Sequence, residues 1–459
     1  MTAGVHVLSS PYFGGPYRHP PMAEIFSDRA RLARWLRVEV ALARCQGRHG
    51  VIPAGAARAI AEGAHIDRLD RDALLQERRR TGHSLLPLLG ALKEAAGGEA
   101  APFVHFGATT QDIQDSGQSI ALAEALGVLD GLSLQLAERL CALAHAHRDS
   151  PCMGRTHFRP ALPITLGLKV ASWLDELDRA RARLHESQGR VPTLQLFGAV
   201  GSAAAFGVDE AALQQEVAEE LGLVAADFPW HNARDRVLEF IWVCSGLVRA
   251  AARGAEELIQ LSRPELGEIR FAWPPGLRGS STMPHKRNPE ECEQVVVLAG
   301  MVQGALSTLM SAPTPLHERD FRGVRMEWAL LPEVANYTAC ALALLIEALE
   351  RVQVDRPGQQ RSLRRYAAEL ASEPLMFALA QHIGRDRAYE LLSETFERAA
   401  QGGISVEELL RALPEVQAHL SAAEMDTILD PRRYVGRAQT LVDRVTQRVR
   451  GPGGRGSTG

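Results

Sequence analysis

Leucines at 122, 126, 129, 136, 140 and 143 recur at alternating four- and three-residue steps, interrupted only where Ser133 takes the apolar place. That spacing predicts one long helix with a bundle-type seam. A second seam follows in Leu166, Val170, Trp173, Leu177 and Leu184, and apolar helical stretches recur near 236–262, 290–311 and 328–351. About five long helices in one region predict a helix bundle, and such seams exceed what one chain can cover, so the pattern also predicts oligomerisation. Upstream, Ser27 and Asp28 cap a helix carrying Leu32, Leu36 and Val40 that fades near Gly47 to Gly50. Downstream, Asp355-Arg356-Pro357-Gly358 breaks the pattern and marks the start of a smaller C-terminal helical unit. The Gly-rich polar residues 451–459 are expected to be a disordered tail.

Composition agrees with an all-α chain. Of 459 residues 46% are hydrophobic and only 5% aromatic, and Ala, Leu and Arg dominate, which favours helix over sheet. The net charge is −4 without long runs of one sign, so no nucleic-acid or membrane footprint is expected and a small-molecule partner fits better. No apolar run is read as reaching the roughly 18 residues of a membrane span. The six cysteines, without CxxC spacing, read as reduced core thiols of a cytoplasmic protein.

Polar density concentrates in four segments: Arg80-Thr81-Gly82-His83-Ser84, His105 to Asp112, Gly154 to Pro160, and Gly279 to Pro289. The last, Gly279-Ser280-Ser281-Thr282-Met283-Pro284-His285-Lys286-Arg287-Asn288-Pro289, places hydroxyls, cations and an amide where Gly and Pro forbid helix or strand. It reads as a mobile loop that grips carboxylate and moves a proton. Taken singly, each segment has a plainer explanation: Thr109 to Asp112 as a helix cap, His157 as a turn residue, His83 as a structural histidine. His145 and His147 read as partners of a helix C-terminus. No pair of His or carboxylates has ligand spacing, so no metal is expected, and no cofactor is called for.

Taken together, the segments resemble the three signature regions of the fumarase/aspartase superfamily. The resemblance rests on the Gly279–Pro289 loop, Thr109-Thr110-Gln111-Asp112 and Gly198-Ala199-Val200-Gly201, and it extends over nearly the whole chain. It implies three helical domains, here 1–108, 109–352 with the catalytic loop at 274–289, and 353–459. It also implies a homotetramer with a 20-helix core whose active sites each draw on three subunits. The implied reaction removes a proton next to a carboxylate of a succinate-type substrate, passes through an aci-carboxylate, and expels a group from the neighbouring carbon to leave fumarate. Ser281 would be the base, His157 or His83 the acid. Lys286, Asn288, Thr109 and Thr110 would stabilise the intermediate, and Gln111, Thr156, Ser280, Met283, Arg319 and Arg325 would bind the small dicarboxylate. Gly276 and Gly279 would let the loop close.

Adenylosuccinate lyases share Arg80-Thr81-Gly82-His83 loosely and also His317-Glu318-Arg319-Asp320. Their expected phosphate-binding segments are altered here to Pro16-Tyr17-Arg18-His19 and Val324-Arg325-Met326-Glu327-Trp328. The 3-carboxy-cis,cis-muconate lactonizing branch is similar over longer stretches but tends to Asn where His83 stands and Gln where Ala233 stands. A relative recruited to another substituted succinate is therefore expected, with nitrosuccinate first and the muconate and adenylosuccinate reactions as alternatives. Arg319 and Arg325 are expected near substrate, although Arg319 with Asp320 could instead form a buried pair. A non-catalytic structural homologue and a phosphate-binding module are the rival classes. The first would have lost the base, and the second would need a Walker spacing that the Gly-rich loop lacks.

Overall fold

The computed structural model describes residues 6–207 and 209–450; the expected tail at 451–459 lies outside them. In chain order the described elements begin with α1 (Pro20–Ile25), α2 (Asp28–Arg48), α3 (Ala54–Gly63), α4 (Arg71–Thr81), α5 (Leu86–Ala96) and α6 (Thr110–Ala146). A hairpin of β1 (Pro151–Thr156) and β2 (Arg159–Thr165) leads into α7 (Leu166–Ser187), α8 (Glu210–Leu221) and α9 (Asp235–Ser262). Then come β3 (Ile269–Phe271), α10 (Glu290–Met310), α11 (Arg322–Arg351), β4 (Val352–Val354) and α12 (Arg356–Arg365), followed by shorter helices to Arg450. The fold is all-α, and among the described residues four strands form two small antiparallel pairs, β1 with β2 and β3 with β4. The expected boundaries fall immediately before α6 and inside β4.

Two compact units divide the chain. The first comprises Met1–Leu134, Ala180–Arg249 and Gln294–Ala343; the second comprises Gln135–Arg179, Ala250–Glu293 and Leu344–Gly459. Helices α6, α7, α9, α10 and α11 contribute residues to both. In the first unit, Ser133 replaces a seam leucine without breaking α6: fully buried, it donates to Asp130 O at 2.9 Å and accepts from Arg181 Nε at 3.2 Å. A buried hydroxyl satisfied on both counts costs the seam little. Its N-terminal core joins Leu36, Ile60 and Leu92 to Ile113 of α6 and Val217 of α8. In the second unit, Lys169 of α7 is paired with Glu257 of α9 at 2.5 Å, and a separate C-terminal core gathers Leu375, Leu391, Leu410 and Met425.

Two expectations need correction. In α2 the buried stripe is Trp35, Leu36, Val38 and Leu42, with Leu32 only partly buried and Val40 no better, because α2 packs against both α3 and α8 and so needs a wider apolar face than one seam. Three helices, Thr110–Ala146, Glu290–Met310 and Arg322–Arg351, do carry membrane-length apolar windows, with mean hydropathy 1.5, 1.3 and 1.6. Isolated polar residues such as Glu124, Gln303 and Asn336 interrupt each helix as a continuous apolar run, and 50%, 39% and 61% of those windows are buried inside the chain itself. All six cysteines are buried, and burial pushes the thiols of Cys152, Cys244 and Cys292 up to about 12.

Candidate active site

In the first unit the site is organised around the start of α6. The fully buried Asp112 carboxylate accepts from Thr109 N and Gly198 N, each at 2.9 Å, and from Phe197 N at 3.0 Å. One carboxylate thereby closes the helix N-terminus and fastens the Gly198–Gly201 segment to it. Gly107, at φ 77°, has no room for a side chain: a Cβ there would stand 3.0 Å from Ala205 O. Gln111, one turn on, spends its amide donors on Asp115 Oδ2 and His231 O, each at 2.9 Å.

Behind Gln111 lies a buried ionic network. The Arg234 guanidinium donates to Asp115 at 2.8 and 3.0 Å and to Glu327 Oε1 at 2.7 Å, and Gln118 adds a bond to Glu327 at 2.8 Å. Burial by itself would lower the Arg234 guanidinium; the carboxylates of Asp115 and Glu327 outweigh burial and raise it. The network ties the beginnings of α6, α9 and α11 together.

Arg319 is delivered by a clamped loop. Asn232 Nδ2 donates to His317 O at 2.6 Å and its Oδ1 accepts from Asp320 N at 2.6 Å, while His317 takes the left-handed φ of 55°. Asp320 pairs with Arg322 and not with Arg319, so the alternative of a buried Arg319–Asp320 pair is not what forms. The hydrogen bond from Arg322 chiefly holds the Asp320 carboxyl well below the usual range. The freed Arg319 donates to Thr109 Oγ1 at 2.6 Å.

These groups border a cavity of about 600 Å³ lined by His83, Thr110, Gln111, Arg319 and Arg325, with Arg78, Gly82, Ser84, Phe321 and Trp328 completing the wall. Three arginines and no carboxylate line it among the described residues. His83 Nδ1 accepts from the backbone N–H groups of Leu85 and Leu86, both at 3.2 Å, at the start of α5. That leaves Nε2–H as the group His83 offers the cavity. Arg78, Phe321 and Trp328 were not singled out from the sequence as site residues; Arg78 had a signal in the Arg78-Arg79-Arg80 run closing α4.

The remaining expected residues belong to the second unit. Thr156 pairs with Arg159 across the hairpin, so His157 and Phe158 form a two-residue turn with φ of 48° and 64°. Both central residues in the left-handed region is the type I′ pattern, ordinarily filled by Asn-Gly. His157 is exposed and Phe158 is 99% exposed. In the loop, Ser280 Oγ accepts from Thr282 N and Met283 N at 3.2 and 2.9 Å, and Asn288 Nδ2 donates to Gly279 O at 3.0 Å. A Cβ on Gly279 would meet Lys286 O at 2.4 Å and the Trp273 ring at 3.0 Å. Among the described residues Ser281 has only Thr282 Oγ1, at 3.4 Å, and Met283 and Lys286 are exposed. Arg155, by contrast, is engaged with the buried Glu268.

Thus His83, Thr109, Thr110, Gln111, Arg319 and Arg325 are placed on one unit, and Thr156, His157, Ser280, Ser281, Met283, Lys286 and Asn288 on the other. The family described as Lyase matches residues 15–304, and the one described as Adenylosuccinate lyase C-terminus matches 370–445. The chain belongs to the fumarase/aspartase superfamily. Among its superfamily relatives, a 3-carboxy-cis,cis-muconate cycloisomerase of Pseudomonas aeruginosa is 37% identical over 95% of this chain and 96% of its own. An N-acetyl-S-(2-succino)cysteine lyase of Enterococcus italicus is 35% identical over 96% and 97%. The crystal structure of the 3-carboxy-cis,cis-muconate lactonizing enzyme from Pseudomonas putida superposes with a TM-score of 0.88 at 37% identity, covering 95% of this chain and 98% of that one.

Proposed function

We propose that this superfamily member eliminates a group from a substituted succinate to give fumarate. The observation that carries the reading is the cavity at the start of α6, where Arg319 bonded to Thr109, together with Arg325 and Thr110, offers donors without any opposing carboxylate. Such a surface favours a small polyanion and stabilises the charge that develops on a carboxylate when its neighbouring carbon loses a proton. Ser281, with no strong internal partner, takes that proton as an alkoxide favoured by the loop cation Lys286. The electron pair then reforms as a carbon–carbon double bond as the bond to the substituent breaks. His157 or the Nε2–H of His83 protonates the leaving atom where it needs a proton.

The exposed His157 turn and the exposed Ser281 loop fit a site completed by other copies, as in a cytoplasmic homotetramer of three-domain chains. In the first unit Trp242 is 51%, Val297 48% and Met310 71% exposed, apolar area that assembly would cover. A second reading, cycloisomerisation of a 3-carboxymuconate, is favoured by the 37% identity to the Pseudomonas aeruginosa enzyme. Nitrosuccinate, expected first from the sequence, has no counterpart among the relatives named above.

Purified protein is offered N-acetyl-S-(2-succino)cysteine, nitrosuccinate, adenylosuccinate and 3-carboxymuconate, with fumarate followed by ultraviolet absorbance and lactone by chromatography. Fumarate from a succinate is the expected result, and Ser281→Ala should lower kcat about 10²- to 10⁴-fold at unchanged Tm. Lactone formation with no fumarate from any succinate would overturn the elimination in favour of the second reading.

A further inference from the structure

A second cavity of about 200 Å³ adjoins the candidate site in the first unit, and Arg78, Ser84 and Trp328 line both. Its walls are largely apolar, built from Leu32 and Trp35 of α2, Leu74 of α4 and Leu88 of α5. A cavity of about 150 Å³ with apolar walls holds a benzene, so this one has room for roughly six to eight non-hydrogen atoms.

Three cations interrupt that apolar wall: Arg31, Arg71 and Arg78, against the single carboxylate of Asp28. Arg34, only three residues along the same helix as Arg31, is engaged by Glu124 at 2.5 Å. Arg31, Arg71 and Arg78 have no hydrogen bond and no ion pair among the described residues. Arg31 is only partly exposed, and burial lowers its guanidinium below the usual value, with Asp28 opposing and Arg34 reinforcing the shift. A partly desolvated guanidinium without an acceptor destabilises the chain unless a ligand supplies the acceptor.

We infer that this cavity is a leaving-group subsite, accepting a substituent with a short apolar spacer that ends in a carboxylate held by Arg31. The inference rests on the elimination reading for the site next to it. It gives that site a substrate class larger than nitrosuccinate: a succinate whose departing group carries its own anionic end. Trp328, shared by the two cavities, would pack against the spacer, and Arg78 would stand where the two cavities join.

The test uses the full-length enzyme with three thioether succinates, bearing S-methyl, S-butyl and S-(3-carboxypropyl) groups. Wild type should show the highest kcat/KM with the carboxypropyl compound. In Arg31→Gln the ratio of its kcat/KM to that of the methyl compound should fall about tenfold or more, and Arg31→Lys should retain most of it, because charge and not shape is being removed. Equal ratios in wild type and Arg31→Gln would overturn the subsite. If no thioether yields fumarate, the elimination reading fails for this class, and calorimetry with 4-(methylthio)butanoate then decides the subsite separately. Binding to wild type that weakens about tenfold in Arg31→Gln sustains it, and absent or unaltered binding removes it.

Discussion

Asp112 and Arg319 show how one short motif serves both structure and site. Thr109-Thr110-Gln111-Asp112 is open to two sequence readings, a helix cap or a set of ligand donors. Both roles are present but divided: Asp112 caps and fastens, while Thr110 lines the cationic cavity and Thr109 Oγ1 accepts from Arg319. The pairing of Arg319 was not legible, because it is decided by Asn232, some ninety residues earlier in sequence, which holds the loop so that Asp320 folds onto Arg322. The Arg234 network was equally hidden, since its two carboxylates, Asp115 and Glu327, come from helices far apart in the chain. Removing its centre should be costly. Arg234→Met leaves two buried carboxylates uncompensated and is expected to destabilise by about 3–5 kcal/mol, read as a large fall in Tm. Arg319→Met should instead lower kcat/KM with little change in Tm, because Arg319 is exposed and among the described residues is bonded only to a hydroxyl. Equal losses of Tm in the two variants would contradict that division.

At the scale of elements, the long helices were legible because each must present one continuous apolar stripe, and Leu122 to Leu140 or Leu166 to Leu184 record that demand directly. The β1–β2 hairpin was not, since its two strands alternate poorly and its turn holds His-Phe where a type I′ turn ordinarily has Asn-Gly. A turn kept in an unfavourable backbone region, with a histidine and a 99% exposed phenylalanine at its tip, points to selection for what the tip touches. Replacing His157-Phe158 by Asn-Gly should therefore relieve about 1–3 kcal/mol of strain within the hairpin. The same variant should lose about 10²- to 10⁴-fold in kcat where His157, and not His83, is the acid. A double variant with unaltered turnover would show that the strained tip has no part in the chemistry.

For the whole molecule, the division of the expected site residues between two units bears on assembly. His157 and Ser281 both sit at exposed tips. If the working site is assembled from several copies, an inactive His157 variant and an inactive Ser281 variant should rescue one another. Each protein supplies the group the other lacks, and mixing equal amounts of the two subunits leaves about a quarter of the sites with both groups intact. The measurement is turnover after the two variants are denatured together and refolded, compared with each refolded alone. Recovery near a quarter of the wild-type rate, accompanied by a tetramer mass in light scattering, is expected. If the mixed sample stays as inactive as its components while wild type refolds fully, then both groups act within a single chain, and the exposed apolar area around Trp242, Val297 and Met310 requires another explanation.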